Sequence, residues 1–201
     1  WKVDMHSHTR LSKDSLNKVR AWEVDRTASI CPNCTQGCNM IVETRDNVVV
    51  RLRPRANEAV NRFFMCDYGR LNYRWMNRQD RIEVPMVRRD GALVASDWET
   101  ALPLAAAVLN GKRVHVAASP NLSNETLYLL SQLIKTNGGT GNFVVETGPE
   151  APLPGVPDLS LRADRAANVT GAEMLGFTRR GSSLADMHDG DVLVIADDLL
   201  A

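Results

Sequence analysis

The stretch CPNCTQGCN, residues 31–39, constrains this chain more than any other. It sets Cys31, Cys34 and Cys38 at C-x2-C-x3-C spacing, and the fourth and last cysteine, Cys66, follows after 27 intervening residues. Free cysteines usually sit singly in a core, so four in this pattern need a chemical reason. Disulfides are disfavoured, because no secretory signal is visible and such spacings then more often mark metal ligands. Zinc sites usually pair two C-x2-4-C knuckles; here the second half is one lone cysteine, so a four-cysteine zinc module stays open but is awkward. An iron–sulfur cluster takes three thiolates from one tight loop and a distant fourth, and on spacing it ranks above zinc. In that reading Gly37 lets the backbone pass the inorganic core without a Cβ clash and Pro32 stiffens the loop. Loop N–H groups would bond the sulfurs and tune the potential.

At 201 residues and 44% hydrophobic content, the chain can build one full domain, or a small domain with part of a larger one. No apolar run approaches the roughly 20 residues a membrane helix needs. It opens WKVDMHSHTR and closes DVLVIADDLLA, and both ends read as lying inside a longer polypeptide. His6 and His8 read as solvated rather than metal-binding. Residues 1–90 carry 17 Lys/Arg against 11 Asp/Glu, and residues 91–201 carry 7 against 13. Such asymmetry can mark nucleic-acid binding. Here the basic half is also the cysteine half, where Arg would offset an anionic cluster. Phe63, Phe64, Tyr68, Tyr73 and Trp75 read as core of a small module rather than a base-stacking face, so no nucleic-acid partner is expected. Arg70 either offsets cluster charge or makes a surface ion pair.

Three regions follow. Residues 1–27 read as an extended lead-in that packs Trp22 onto something. Residues 28–90 form a cysteine module: CNMIVETRDNVVVRLRPR is a β-hairpin turning at RDN, DYGRLNYRWM is one or two helical turns, and VPMVRRDGALVAS is a second hairpin with Asp90–Gly91 as its turn. Residues 91–201 alternate strand and helix. A helix opens at a capping box, Ser96 with Glu99, and Pro103 argues for a bend or a late start. RVHVAAS is a strand, SNETLYLLSQLIKTNGG a helix capped by Ser123 and stopped by Gly138, and NFVVET a strand. The Pro-rich loop GPEAPLPGVPD, a weaker helix in DRAANVTGAEMLGF and the strand GDVLVIADD complete the pattern. The expected fold class is α/β: a small hairpin-rich module, then part of a doubly wound parallel domain. NGGTGN follows a helix, not a strand, so it is a cap and turn rather than a dinucleotide loop.

WEVDRTASICPNCTQGCNM, RDNVVVRLRPR, VNRFFMCDYGRLNYRW and DRIEVPMVR together resemble the [4Fe–4S] domain of the molybdopterin oxidoreductase superfamily, and within it the G subunits of NADH:quinone oxidoreductase, respiratory complex I. DWETAL, SPNLSNETLYLLSQL and ADRAANVTGAEMLG resemble the start of the superfamily's α/β domain. The resemblance implies that Cys31, Cys34, Cys38 and Cys66 ligate one [4Fe–4S] cluster. It implies an electron-transfer subunit with no catalytic site of its own, partnered by other subunits of a respiratory NADH dehydrogenase. Its place would be the cytoplasmic side of the inner membrane, held there only through partner subunits. Two departures matter. Catalytic members usually carry Lys two residues after the fourth cysteine, where this chain has Tyr68, which weakens the case for molybdenum chemistry. The N-terminal cluster motifs of complete G subunits are absent, which suits a fragment. The front part of a molybdopterin enzyme of the formate dehydrogenase or nitrate reductase type is the alternative, and a zinc module the second.

Overall fold

Asp46 and Asn47 take φ of 51° and 61°, the left-handed pair that a two-residue type I′ hairpin needs and that short polar side chains tolerate. They join β2 (Asn39–Arg45) to β3 (Val48–Pro54), as the RDN signal predicts. The structure, a computed structural model, describes residues 22–156, 158–179 and 187–196. A further strand, β1 (Asp25–Ile30), pairs antiparallel with β2 from Asp25 opposite Thr44 to Ile30 opposite Asn39. It starts inside the expected lead-in. As an edge strand with almost every residue exposed, it has no buried face to write alternation into its sequence. Trp22 is 76% exposed. His6 and His8 lie outside the described residues.

On one face of this sheet Met40 and Leu52 are almost fully buried, and Val42 and Val49 pack with them. On the other face Glu43 is wholly buried and bonded by three arginines, Arg26 (3.2 Å), Arg51 (2.5 Å) and Arg53 (3.3 Å), from the strands on either side of it. A five-residue helix, α1 (Asp67–Leu71), and a 3-10 turn at Arg74–Asn77 follow. Asn77 extends the ladder by bonding both the N–H and the C=O of Val49 (2.9 and 2.7 Å).

Contacts divide the chain into two compact units: described residues up to 79 with 148–167, and residues 80–147 with those from 168 onward. The hairpin β4 (Met86–Arg89)–β5 (Ala92–Ala95) thus groups with the second unit and the Pro-rich loop with the first, whereas the sequence pattern divides the chain at residue 90. The turn of this hairpin is Asp90–Gly91, at φ 49° and 83°, as expected.

In the second unit α2 (Trp98–Leu109) is capped by Asp97, which accepts from Thr100 N–H at 2.7 Å. The expected cap, Ser96, instead donates its N–H to Pro85 O and closes the hairpin. The helix neither starts late nor stops at Pro103, but runs through it. Next come β6 (Val114–Ala118), α3 (Asn124–Asn137) and β7 (Gly141–Phe143). The chain then returns to the first unit for the short strands β8 (Ala151–Pro152) and β9 (Ser160–Leu161). Back in the second unit are α4 (Val169–Met174), β10 (Thr178–Arg179) and β11 (Val192–Ala196). Ser123 caps α3 and Gly138 ends it, as predicted. The sheet order is β10-β7-β6-β11 with every pair parallel. The first strand of this sheet, β6, is therefore flanked by its second and its last, the doubly wound order, and the α/β class is correct. His115 on β6 is a satisfied core histidine: its ring nitrogens contact Thr140 Oγ1 (2.9 Å) and Asp191 Oδ2 (3.0 Å).

Candidate metal centre

Cys31 sits just past the end of β1 and Cys38 just before β2, so the paired strands fix both ends of the cysteine loop. Cys31 N–H donates to Cys38 O at 2.8 Å and Gly37 N–H to Cys34 O at 3.2 Å. Gly37 has φ +60°, and the nearest atom to a Cβ there would be Ile30 Cγ2 at 3.8 Å. It serves a left-handed turn, with no protein atom closer than that to a Cβ. The glycine that permits close approach between parts of the chain is Gly69 on α1. A Cβ there would lie 2.9 Å from Cys31 Sγ, 3.1 Å from Met65 Cε and 3.7 Å from Cys66 Sγ.

Cys66 is the N-cap of α1, and its sulfur accepts from Gly69 N–H at 3.3 Å. It reaches the cysteine loop because Asn61 holds the intervening segment. Asn61 is 1% exposed. Its Oδ1 accepts from Asn39 N–H (3.0 Å), and its amide donates to the carbonyls of Asn39, Arg55 and Phe64. One side chain thereby ties the residue after Cys38 to the residue two before Cys66. Arg55 adds a bond to Asn39 Oδ1.

Cys31, Cys34 and Cys38 are 4–5% exposed, Cys66 is half-buried, and all four are free thiols. Burial pushes the Cys38 thiol up to about 12, with the charges that Cys31, Cys34 and Cys66 would carry adding to it. Burial also raises Cys31, against lowering hydrogen bonds from the backbone and side chain of Asn33. Cys31 and Cys38 are therefore thiols whose ionised form a cation beside them would favour. Among the described residues no group of three or more His, Cys, Asp or Glu side chains is already set to hold a metal ion. The donor set and the cradle beside Gly69 fit an iron–sulfur cluster.

The Pro-rich segment closes over this loop, which no local signal in the sequence announces. Its hairpin, β8 with β9, carries Leu159 into the same core as Cys31, Cys38, Met40, Met65 and Tyr73. Thr35 N–H donates to Asp164 O (3.2 Å), and Arg162 donates to Gln36 Oε1 (2.8 Å), while Gln36 donates to Val60 O (2.8 Å). Gln36 thus joins the strap to the loop held by Asn61. The Arg165 guanidinium lies 5.8 Å from the centre of the Tyr68 ring.

Of the aromatics expected as core, only Tyr73 is buried, donating its hydroxyl to Val50 O at 2.9 Å. Phe63, Phe64, Tyr68 and Trp75 are 62, 44, 41 and 43% exposed. The core holds sulfur side chains instead, Met40, Met65, Cys31 and Cys38, beside Leu52, Tyr73 and Leu159. Arg70 pairs with Asp67, three residues away, at 2.9 Å, an arrangement worth well under 1 kcal/mol.

The family model described as "Molybdopterin oxidoreductase Fe4S4 domain" matches residues 24–78, and the one described as "Molybdopterin oxidoreductase" matches residues 81–193. The chain is similar to the G 2 subunit of NADH-quinone oxidoreductase from Rhizobium meliloti (strain 1021), 37% identical over 68% of this chain and 16% of the relative. It is 30% identical over 90% of its length to the G subunit of NADH-quinone oxidoreductase from Shewanella oneidensis, covering 18% of that protein. It is 37% identical to subunit 3 of NADH-quinone oxidoreductase from Thermus thermophilus over 42% of this chain and 11% of the relative. The chain thus spans less than a fifth of the length of these three relatives. Among the described residues no helix is long and apolar enough to cross a membrane. With matches that cover nearly all of the two units just described, this chain belongs to the molybdopterin oxidoreductase family, and the cofactor of its Fe4S4 domain is a [4Fe–4S] cluster.

Proposed function

We propose that this chain is the electron-transfer segment of a G-type subunit of NADH:quinone oxidoreductase, and that Cys31, Cys34, Cys38 and Cys66 are the ligands of its one [4Fe–4S] cluster. The observation that carries the reading is four free thiols, three of them almost fully buried, on two segments that Asn61 ties together, with the sulfurs of Cys31 and Cys66 both beside Gly69. When bound, the cluster accepts and releases one electron at a time. The protein's own part is to supply four thiolates, to exclude water from Cys31, Cys34 and Cys38, and to aim Gly69 N–H at the Cys66 sulfur. No proton need be taken from a substrate and no nucleophile is required. The other subunits of the respiratory complex are its partners. They hold it to the cytoplasmic face of the inner membrane.

The test is freeze-quench electron paramagnetic resonance on the whole complex mixed with NADH. A cluster signal from this subunit that appears within one turnover supports electron transfer. A signal absent at one turnover, yet present after dithionite, assigns the cluster a structural role instead.

A further inference from the structure

Cys31 carries a hydrogen-bond partner that the ligand pattern does not require. Asn33 Nδ2 lies 3.5 Å from Cys31 Sγ, and Asn33 Oδ1 accepts from Asn72 Nδ2 at 2.9 Å. Asn72 lies 39 residues further along, at the C-cap of α1, the helix that Cys66 opens. The two bonds run in one direction, from Asn72 through Asn33 to the sulfur. The opposite rotamer of Asn33 would set its carbonyl oxygen against a sulfur that can only accept once ionised, so the chemistry selects the donor. Asn33 is 8% exposed, and water competes weakly for its amide. A bond to its carbonyl polarises the amide and strengthens it as a donor.

We propose that Asn72 and Asn33 form a positioning relay that fixes and polarises the Cys31 sulfur and thereby raises the reduction potential of the cluster. The proposal rests on the four cysteines being the ligands. Adding one electron puts more negative charge on the ligand sulfurs, so an N–H donor stabilises the reduced form more than the oxidised form. Asn33 touches a ligand and Asn72 acts only through Asn33. The relay also joins the loop of the first three cysteines to the helix of the fourth.

The experiment is an equilibrium titration of the anaerobically purified full-length protein, reduced with dithionite and reoxidised with ferricyanide, with iron and sulfide counted in each sample. The electron comes from dithionite, and no covalent bond forms and no proton moves at Cys31. Asn33→Ala should lower the ratio of reduced to oxidised cluster about tenfold at fixed potential, about 59 mV for one electron. Asn72→Ala should shift it the same way by about threefold, the smaller effect of an unpolarised donor. The double variant should match Asn33→Ala, because Asn72 has no other route to the sulfur. An unshifted Asn33→Ala with iron and sulfide intact overturns the relay and leaves the cluster reading standing. Additive shifts also overturn it. If Asn33→Ala cannot hold its cluster, Asn72→Ala decides, and an unchanged midpoint there overturns the relay. Wild-type protein without iron overturns both readings.

Discussion

Replacing Gly69 with alanine sets two effects of opposite sign against each other. Gly69 lies within α1, and an exposed helical Gly→Ala change ordinarily stabilises by up to about 1 kcal/mol. The new Cβ, however, would lie 2.9 Å from Cys31 Sγ and 3.1 Å from Met65 Cε. Carbon contacts are most favourable at about 3.5–4.0 Å, so both neighbours must give by roughly half an ångström or more. Met65 is flexible and can yield. Cys31 cannot once its sulfur is bonded to iron. Overpacking of this kind costs about 1–3 kcal/mol and exceeds the propensity gain. The variant with cluster bound should therefore be about 1–2 kcal/mol less stable than wild type. For a chain of this size that lowers Tm by about 2–8 °C. If the cost falls wholly on cluster binding, the affinity drops about 5–30-fold. The assay is thermal unfolding of the anaerobically loaded protein, with the rate of iron release to a chelator measured alongside. A Tm that rises, with iron release no faster, would refute the argument, because helix propensity would then have won and the space beside Cys31 would be free.

Three further outcomes are expected. Burial alone would push Glu43 up, but the hydrogen bonds and charge of Arg51, with bonds from Arg26 and Arg53, outweigh it and hold the carboxyl below its usual range; its stabilisation is then present above the unfolded value of about 4.3 and lost as pH falls through the lower folded value. Glu43→Gln should cost about 2 kcal/mol at pH 7, at the low end for a bonded charge because the arginines are 31–47% exposed and can rehydrate. Urea midpoints measured at pH 7 and pH 3 should show the gap from wild type closing in acid, and a constant gap would contradict it. Asn61→Ala removes the acceptor of the buried Asn39 N–H and the side-chain donor to the carbonyls of Arg55 and Phe64, while Asn39 O keeps Arg55 N–H; it should cost about 2 kcal/mol and speed iron loss, and an unchanged iron-release rate would show that Cys66 is held by other means. Cluster reconstitution should be faster and more complete at pH 8.5 than at pH 7, since each thiol must lose its proton and Cys38 is pushed up to about 12. Without metal the sign reverses: the raised Cys38 thiol favours the fold below its unfolded value of about 8.5 and ceases to do so as pH rises through about 12. Loading that does not vary with pH would count against buried thiols as the ligands.

The cysteine spacing, both hairpin turns and the alternation of strand and helix were legible because each is a local signal. Asp46–Asn47 and Asp90–Gly91 need left-handed backbone, and only a few residue types supply it. β1 was not legible, because an edge strand with both faces largely exposed has no period to display. The strap could not be read either. Nothing within GPEAPLPGVPD states which unit it will cover, and Leu159 finds Cys31 only through tertiary packing. The amides of Asn33, Asn61 and Asn72 carry no signal of their own, since Asn in a loop reads the same whether its side chain meets water or a neighbouring group. Gly37 and Gly69 show the same limit: both are glycines beside cysteines, but one is required for φ and the other for space. The aromatics around Cys66 misled because hydrophobicity indicates what can be buried, not which residues reach a core first.

The central claim is that four named cysteines hold one cluster. It is tested most directly by counting iron, acid-labile sulfide, zinc and molybdenum in one run, on anaerobically purified wild type and on Cys66→Ala. The account predicts about four iron and four sulfide per wild-type chain, the content of one [4Fe–4S] cluster, with the count falling sharply in the variant. One zinc with no sulfide, or an undiminished iron count in Cys66→Ala, would contradict it.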